Sequence, residues 1–216
     1  VLPLTAGKAA VNSVAKALKE KPIPGIVIGE NYAGNIWLCF NVTKPPYNQK
    51  KVRQAIACAI DKNKLLEAVY WGLGEVQNNQ PFLKVSRFYI PVQEQKVDLA
   101  RARQLLAEAG YPNGFKTEFL QYSVHYDVAT AEAVTGQLKE IGIEATVKVL
   151  DRAPYFKMMR NGEFGISVGG YEERYDWDDA YYMIYHSSEI DRNNWSRYSN
   201  PELDDLLRKG RATLNW

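Results

Sequence analysis

Histidine and cysteine are scarce in this chain, with two of each among 216 residues. His125 and His186 are far apart and lack ligand-type neighbours, and neither Cys39 nor Cys58 stands in a CxxC pair. The spacings on which zinc sites are built are therefore missing. No GxSxG, HExxH or phosphate-loop pattern occurs either, which removes the common nucleophilic, metallopeptidase and nucleotide-binding signatures. Neither sign of charge dominates. The 27 basic and 25 acidic residues leave a net charge of +2, too balanced to argue for a nucleic-acid partner. The basic runs Lys19/Lys21, Lys50/Lys51 and Arg208/Lys209/Arg211 are scattered and read as solvated helix ends. No apolar run approaches the roughly 20 residues that cross a bilayer. No signal peptide is recognisable and the chain starts at Val1, as a mature or excised chain would. Internal repeats and low-complexity segments are absent.

What is present is an ordinary globular balance: 46% hydrophobic and 24% charged residues, enough for a core of useful size. Residues 8–20 read as a helix, broken by Pro22, Pro24 and Gly25. Ile26–Ile28 and Ile36–Phe40 read as short strands around a turn at Tyr32–Gly34, the second ended by Pro45 and Pro46. Residues 50–60 place Val52, Ala55, Ile56, Ala59 and Ile60 on one helical stripe. Asp61 can cap a second helix carrying Leu65, Leu66 and Val69, which Gly72 and Gly74 end. Residues 75–96 read as a long surface connection. From Asp98, a helix buries Leu99, Ala102, Leu105, Leu106 and Ala109 and stops at Gly110.

A strand–helix series follows. Thr117–Tyr122 is a strand. Residues 127–141 form a helix with Val128, Ala131, Val134, Leu138 and Ile141 inward. In the strand 143–150, Ala145, Val147 and Val149 alternate with polar residues, leaving one wet face. A short helix spans 153–160, a strand Phe164–Val168, and Pro201 opens a last helix with Leu203, Leu206 and Leu207 inward. Strands alternating with helices predict an α/β structure, a mixed sheet flanked by helices, with ligands gathering beyond the carboxyl ends of the strands. Cys39 and Cys58, both in apolar settings, read as buried free thiols rather than a bridge.

The densest chemistry lies after the strand ending near Gly169–Gly170, in YEERYDWDDAYYMIY. Six aromatics (Tyr171, Tyr175, Trp177, Tyr181, Tyr182 and Tyr185) accompany five carboxylates between Glu172 and Asp179, offset only by Arg174. A carboxylate pairs an ammonium more strongly as water is excluded. Tyr and Trp faces add area and cation–π attraction. The pattern suits a ligand with a cationic group and an apolar or planar body, bound by Tyr171, Glu172, Arg174, Tyr175, Asp176 and Trp177. Tyr181, Tyr182 and Tyr185 read as packing residues at helical spacing, with Asp178 a candidate N-cap. Asp176, Asp178 and Asp179 lack the glycine and ligand spacing of a calcium loop. Glu172 and Glu173 could form an acid/base pair, but adjacent acids in a polar run read as surface. His125 reads as a rim or capping residue.

Asn41, Pro45-Pro46-Tyr47, Val52-Arg53-Gln54-Ala55-Ile56 and Ala59-Ile60-Asp61-Lys62 resemble the family 5 extracellular solute-binding proteins, the oligopeptide-, dipeptide- and nickel-binding group of ABC transporters. Asp98–Tyr111, Leu138–Ile143 and Asn194–Asp204 continue the resemblance in consistent order over roughly 25–213. It implies a lobe of periplasmic-binding-protein type II-like fold. Residues 1–42 would be a lead-in helix and hinge-side strands. Residues 43–216 would be the second lobe of a two-lobed protein, truncated at both ends, its partners being the first lobe and the permease subunits of an importer. Asp176 would pair the α-ammonium of a peptide. Ala180, Tyr171 and Gly165 stand where the family usually has proline, tryptophan and aspartate.

The resemblance implies a non-enzymatic, cofactor-free binding component of an ABC importer. It would act in the periplasm or outside the cell on peptides or similar small solutes, and touch the membrane only through a lipid anchor. A ligand-sensing domain of a regulator or chemoreceptor, using the same lobe, is the alternative.

Overall fold

In the computed structural model, residues 34–72, 74, 76, 89–92, 96–123, 125–172 and 177–212 are described. The helix read at 8–20, the strand at 26–28 and most of the connection at 75–96 lie outside them. Four strands make one sheet: β1 (Gly34–Phe40), β2 (Phe115–Tyr122), β3 (Ile143–Leu150) and β4 (Ile166–Glu172). Their order is β1-β4-β2-β3. β2 runs parallel to both β3 and β4, and β1 runs antiparallel to β4. The mixed sheet is thus present. β1 pairs with β4 along its whole length, so the strand read as hinge-side is integral to this sheet.

The helices are α1 (Lys50–Ala59), α2 (Lys62–Tyr70), α3 (Leu99–Glu108), α4 (His125–Lys139), α5 (Arg152–Asn161), α6 (Trp177–Tyr185) and α7 (Pro201–Ala212), with a 3-10 turn at Ser187–Glu189. The stripe Val52, Ala55, Ile56 and Ala59 of α1 is buried, as its spacing demands. It packs with Ala102, Leu105 and Leu106 of α3, Ala131, Val134 and Leu138 of α4, and Phe119, Ile166 and Val168 of the sheet. The opposite face carries a smaller core of Cys39, Leu120, Tyr155, Met159 and Phe164. Helices α4 and α5 therefore cover opposite faces.

Local signals work where the chain itself supplies the partner. Asp61 caps α2 and Asp98 caps α3, each accepting from a backbone N–H three residues on. The Gln137 amide accepts from Asp61 N and donates to Asp61 O, which ties the α1–α2 corner to α4. Trp71 takes the left-handed C-cap position of α2 at φ 54°, and Gly72 after it also has a positive φ, 69°.

Three positions depart from the periodicity. Val149 is 45% exposed, because β3 is the sheet edge. Leu206 is 58% exposed, and α7 turns Asp204 and Leu207 inward instead. Asp204 accepts from Ser187 N (2.9 Å) and the Ser187 hydroxyl, so a polar anchor sets the rotation of α7. β4 continues to Glu172, past Gly169–Gly170, since the rungs come from β1 and need no side chain.

Candidate functional site

Parallel strands deliver their carboxyl ends to one edge, and here that edge is built by Tyr122–Ser123 after β2, Leu150–Asp151 after β3 and Tyr171–Glu172 at the end of β4. Ser123 N donates to Leu150 O at 3.0 Å, closing the β2–β3 side. The β2–β4 side is different. Main-chain pairing stops after Phe119↔Ile166 and Leu120↔Ser167. Next along, the fully buried Gln121 side chain accepts from Val168 N (3.1 Å) and donates to Val168 O (3.5 Å).

Two close approaches shape β4. Trp37 of β1 lies over Gly169, where an added Cβ would come within 2.9 Å of Trp37 Nε1. At the other end a Cβ on Gly165 would meet Tyr47 Cε2 at 2.6 Å. Gly165, which departs from the family's usual aspartate, is thus the seat of the Tyr47 ring. Burial pushes the Tyr47 phenol up to about 12, against the opposing bond to Thr117.

On the α5 face the edge is aromatic. Tyr122 stacks on Tyr155 (5.7 Å between centroids) and meets Phe156 (5.9 Å), and Phe156 contacts Trp195 (5.7 Å). The Arg152 guanidinium sits 5.7 Å from the Phe156 ring centre. Arg152, Ala153, Phe156 and Arg160 line an open hollow of about 430 Å³ on the flank of α5. The Tyr155 hydroxyl lies 2.9 Å from Ser167 Oγ and donates to Val168 O at 3.3 Å.

Of the residues singled out from sequence, Tyr171 and Glu172 reach this edge through the backbone of β4. Tyr171 and Glu172 are the last rungs of β4, opposite Asn35 and Gly34, so they belong to the strand and not to the loop after it. Trp177 opens α6. Arg174, Tyr175 and Asp176 lie outside the described residues, as do the side chains of Tyr171, Glu172 and Trp177. Asp178 lies within α6 rather than capping it.

The tyrosines read as packing do pack. Tyr181 is buried, and Tyr185 stacks parallel to it at 6.2 Å. Burial raises the Tyr185 phenol, and Cys39 nearby adds to this. Tyr182 stacks on His186 at 4.3 Å with Arg211 over its other face at 3.5 Å. Arg208 and Arg211 therefore do more than solvate a helix end. His186 is buried and accepts from Ser188 N, capping the 3-10 turn. His125 is the first residue of α4. Neither cysteine is in a disulfide; Cys39 is buried and Cys58 half-buried.

Sequence reasoning passed over Gln121, Tyr155 and Arg152. Gln121 carried one signal, a polar residue at an inward position of a strand whose alternation ends in three consecutive buried residues.

The family model "Bacterial extracellular solute-binding proteins, family 5 Middle" matches residues 4–193. Heme-binding protein A of Haemophilus influenzae is 32% identical over 210 residues, covering 94% of this chain and 38% of that protein. The dipeptide-binding protein of Escherichia coli is 25% identical over 205 residues, covering 92% of this chain and 37% of its own length. Among solved structures, the ABC transporter-associated periplasmic binding protein DppA from Helicobacter pylori, in complex with the peptide STSA, superposes with a TM-score of 0.82 at 28% identity. That match covers 94% of this chain and 40% of the other. The chain thus spans about two fifths of the length of these relatives.

Proposed function

This chain belongs to the bacterial extracellular solute-binding proteins of family 5, and from that premise we propose that it is the second lobe of the substrate-binding component of an ABC importer. Its ligand is a peptide or similar small solute, taken up in the periplasm or outside the cell. The first lobe completes the cleft, the permease subunits receive the loaded protein, and a lipid anchor is its only tie to the membrane. The lobe binds and releases without catalysis. Ligand contacts to both lobes favour the closed state by differential affinity, a population shift and not a reaction.

The observation that supports this reading is the extension of β4 to Glu172, so that the strand ends at the carboxyl edge of the sheet directly before the acidic and aromatic run of the sequence. Ligands of open α/β sheets collect at that edge. Asp176 is assigned the α-ammonium of the peptide, and Tyr171, Glu172, Arg174, Tyr175 and Trp177 flank it. The relatives named for dipeptide, heme and peptide STSA support this ligand range.

The test is calorimetry on the full-length protein with trialanine, N-acetyl-trialanine, glutathione and heme. Trialanine should bind and its acetylated form should bind far more weakly. Asp176→Asn should weaken trialanine by about tenfold or more, the worth of one charge-assisted hydrogen bond. Equal affinity of wild type and variant for trialanine would remove Asp176 from the role. No binding of any of the four by the wild-type protein would overturn the ligand class.

A further inference from the structure

Where the main-chain pairing of β2 with β4 ends, at Leu120↔Ser167, a side chain continues the tie between the strands. In β4, Ile166 and Val168 direct their N–H and C=O toward β2, as alternate residues of a strand do. β2 pairs with β4 only at Phe119 and Leu120. It then stays with β3, through Gln121↔Val149 and Tyr122↔Leu150. The Gln121 amide adds a tie at Val168, next to the last main-chain pair, accepting from Val168 N at 3.1 Å and donating to Val168 O at 3.5 Å. From the α5 face, Tyr155 and Ser167 hydroxyls also reach Val168 O, at 3.3 and 3.2 Å.

The place is topologically special. β2 leads into α4 on one face of the sheet, and the β3-to-β4 connection returns through α5 on the other. The connections part between β2 and β4, where open α/β sheets form their binding crevice. A side-chain amide is longer than a main-chain rung, so it can tie the strands where they diverge. Gly169–Glu172 begins one residue beyond the tie.

We propose that Gln121 is a positioning residue for the ligand edge. Its amide extends the β2–β4 tie beyond the last main-chain pair, sets the width of the crevice mouth and fixes the backbone that carries Gly169–Glu172. The link to ligand rests on the reading of this edge under Proposed function; the clip itself does not.

The experiment compares wild type, Gln121→Leu and Gln121→Glu in the full-length protein. Amide exchange is followed residue by residue from Ile166 to Glu172, and trialanine affinity is measured between pH 5 and 8. Leucine keeps the bulk but removes the bond. Exchange at Val168 should accelerate about tenfold, and trialanine should bind about tenfold more weakly, as for one lost buried hydrogen bond.

The glutamate variant supplies a readout that bulk or stability alone would not move. A neutral carboxyl both accepts and donates, like the amide, whereas the ionised form still accepts from Val168 N but cannot donate to Val168 O. Burial raises a carboxyl's pKa. Gln121→Glu should therefore keep Val168 protected at pH 5 and pH 8, unlike leucine, while its trialanine affinity falls at pH 8 and returns toward pH 5 and that of wild type stays flat. Unchanged exchange at Val168 in the leucine variant overturns the clip. Faster exchange with undiminished trialanine affinity overturns its role at the ligand edge. A wild-type protein that ignores trialanine but binds glutathione or heme has the affinity arm run with that compound. One that binds none of them overturns the functional reading, and the exchange arm then decides the clip alone.

Discussion

The Tyr47 ring lies across Gly165: a methyl group on that α-carbon would stand 2.6 Å from Tyr47 Cε2 and 3.1 Å from Cδ2. The ring has nowhere to retreat. Tyr47 is 1% exposed, its hydroxyl is bonded to Thr117 at 2.8 Å, and Phe40 and Phe115 flank it. Gly165→Ala should therefore destabilise the protein by about 1–3 kcal/mol, the range for overpacking a filled core. Urea denaturation measures it, and a loss below about 0.5 kcal/mol would show that Tyr47 moves freely. Tyr47→Phe, which keeps the ring and drops one hydrogen bond, should cost about 1 kcal/mol.

Asn194 is the hub of the turn that leads to α7. Its amide nitrogen lies within hydrogen-bond distance of the carbonyls of Tyr185, His186 and Tyr198, and its oxygen accepts from the Ser196 hydroxyl. The residue is fully buried. Asn194→Ala removes the side-chain donor from the Tyr185 and Tyr198 carbonyls, while His186 O keeps the Glu189 N–H, so a loss of about 2–4 kcal/mol is expected, several times that of an exposed substitution. Asn194→Asp should do no better, because a carboxylate cannot donate to carbonyls. Stability of the aspartate variant equal to wild type would contradict this donor role.

Asp204 gives the α6–α7 junction an acid limit. Burial raises its carboxyl, and donation from the Ser187 hydroxyl and backbone N–H, with His186 and Arg208 nearby, outweighs this and holds it below the ordinary aspartate value. A group whose folded value is depressed stabilises the fold above its unfolded value and loses that contribution as pH falls through the folded one. The Asp204 contribution should be constant from neutral pH down to the ordinary carboxylate range and fade below it. Asp204→Asn should be less stable than wild type at pH 7, with the difference narrowing at pH 3 and below. A gap that does not change with pH would refute the linkage.

Cys39 and Cys58 should separate chemically. Burial pushes the Cys39 thiol up to about 12, which leaves almost no thiolate at pH 8. Cys58 is half-buried on α1. An aromatic disulfide reagent at pH 8 should label Cys58 in the folded protein and reach Cys39 only with denaturant. Peptide mapping by mass spectrometry distinguishes the two, and equal labelling rates would be the contrary result.

The helical stripes were readable because burial repeats at the helical period within a single segment. Val52, Ala55, Ile56 and Ala59, or Ala131, Val134, Leu138 and Ile141, needed no knowledge of their partners. Asp61 and Asp98 were readable as caps because donor and acceptor lie three residues apart. The aromatic and acidic segment after Gly170 stood out by composition, and Tyr171 and Glu172 mark the sheet edge it starts from.

Other features depended on groups distant in sequence. Nothing within α7 says that Asp204 anchors Ser187 and so turns Leu206 outward. Nothing near Gly169–Gly170 says that β1 supplies rungs as far as Glu172. The sequence alone determined the α/β class, the family and the segment richest in binding chemistry, since these follow from local period, capping and order of motifs. The tertiary structure alone decided that the Gln121 side chain bonds Val168 of the neighbouring strand, that Tyr47 requires Gly165, and that Arg152 and Phe156 share the edge with Tyr122. Each is a contact across 30 to 120 residues, set by how elements pack and by the need to satisfy buried polar groups.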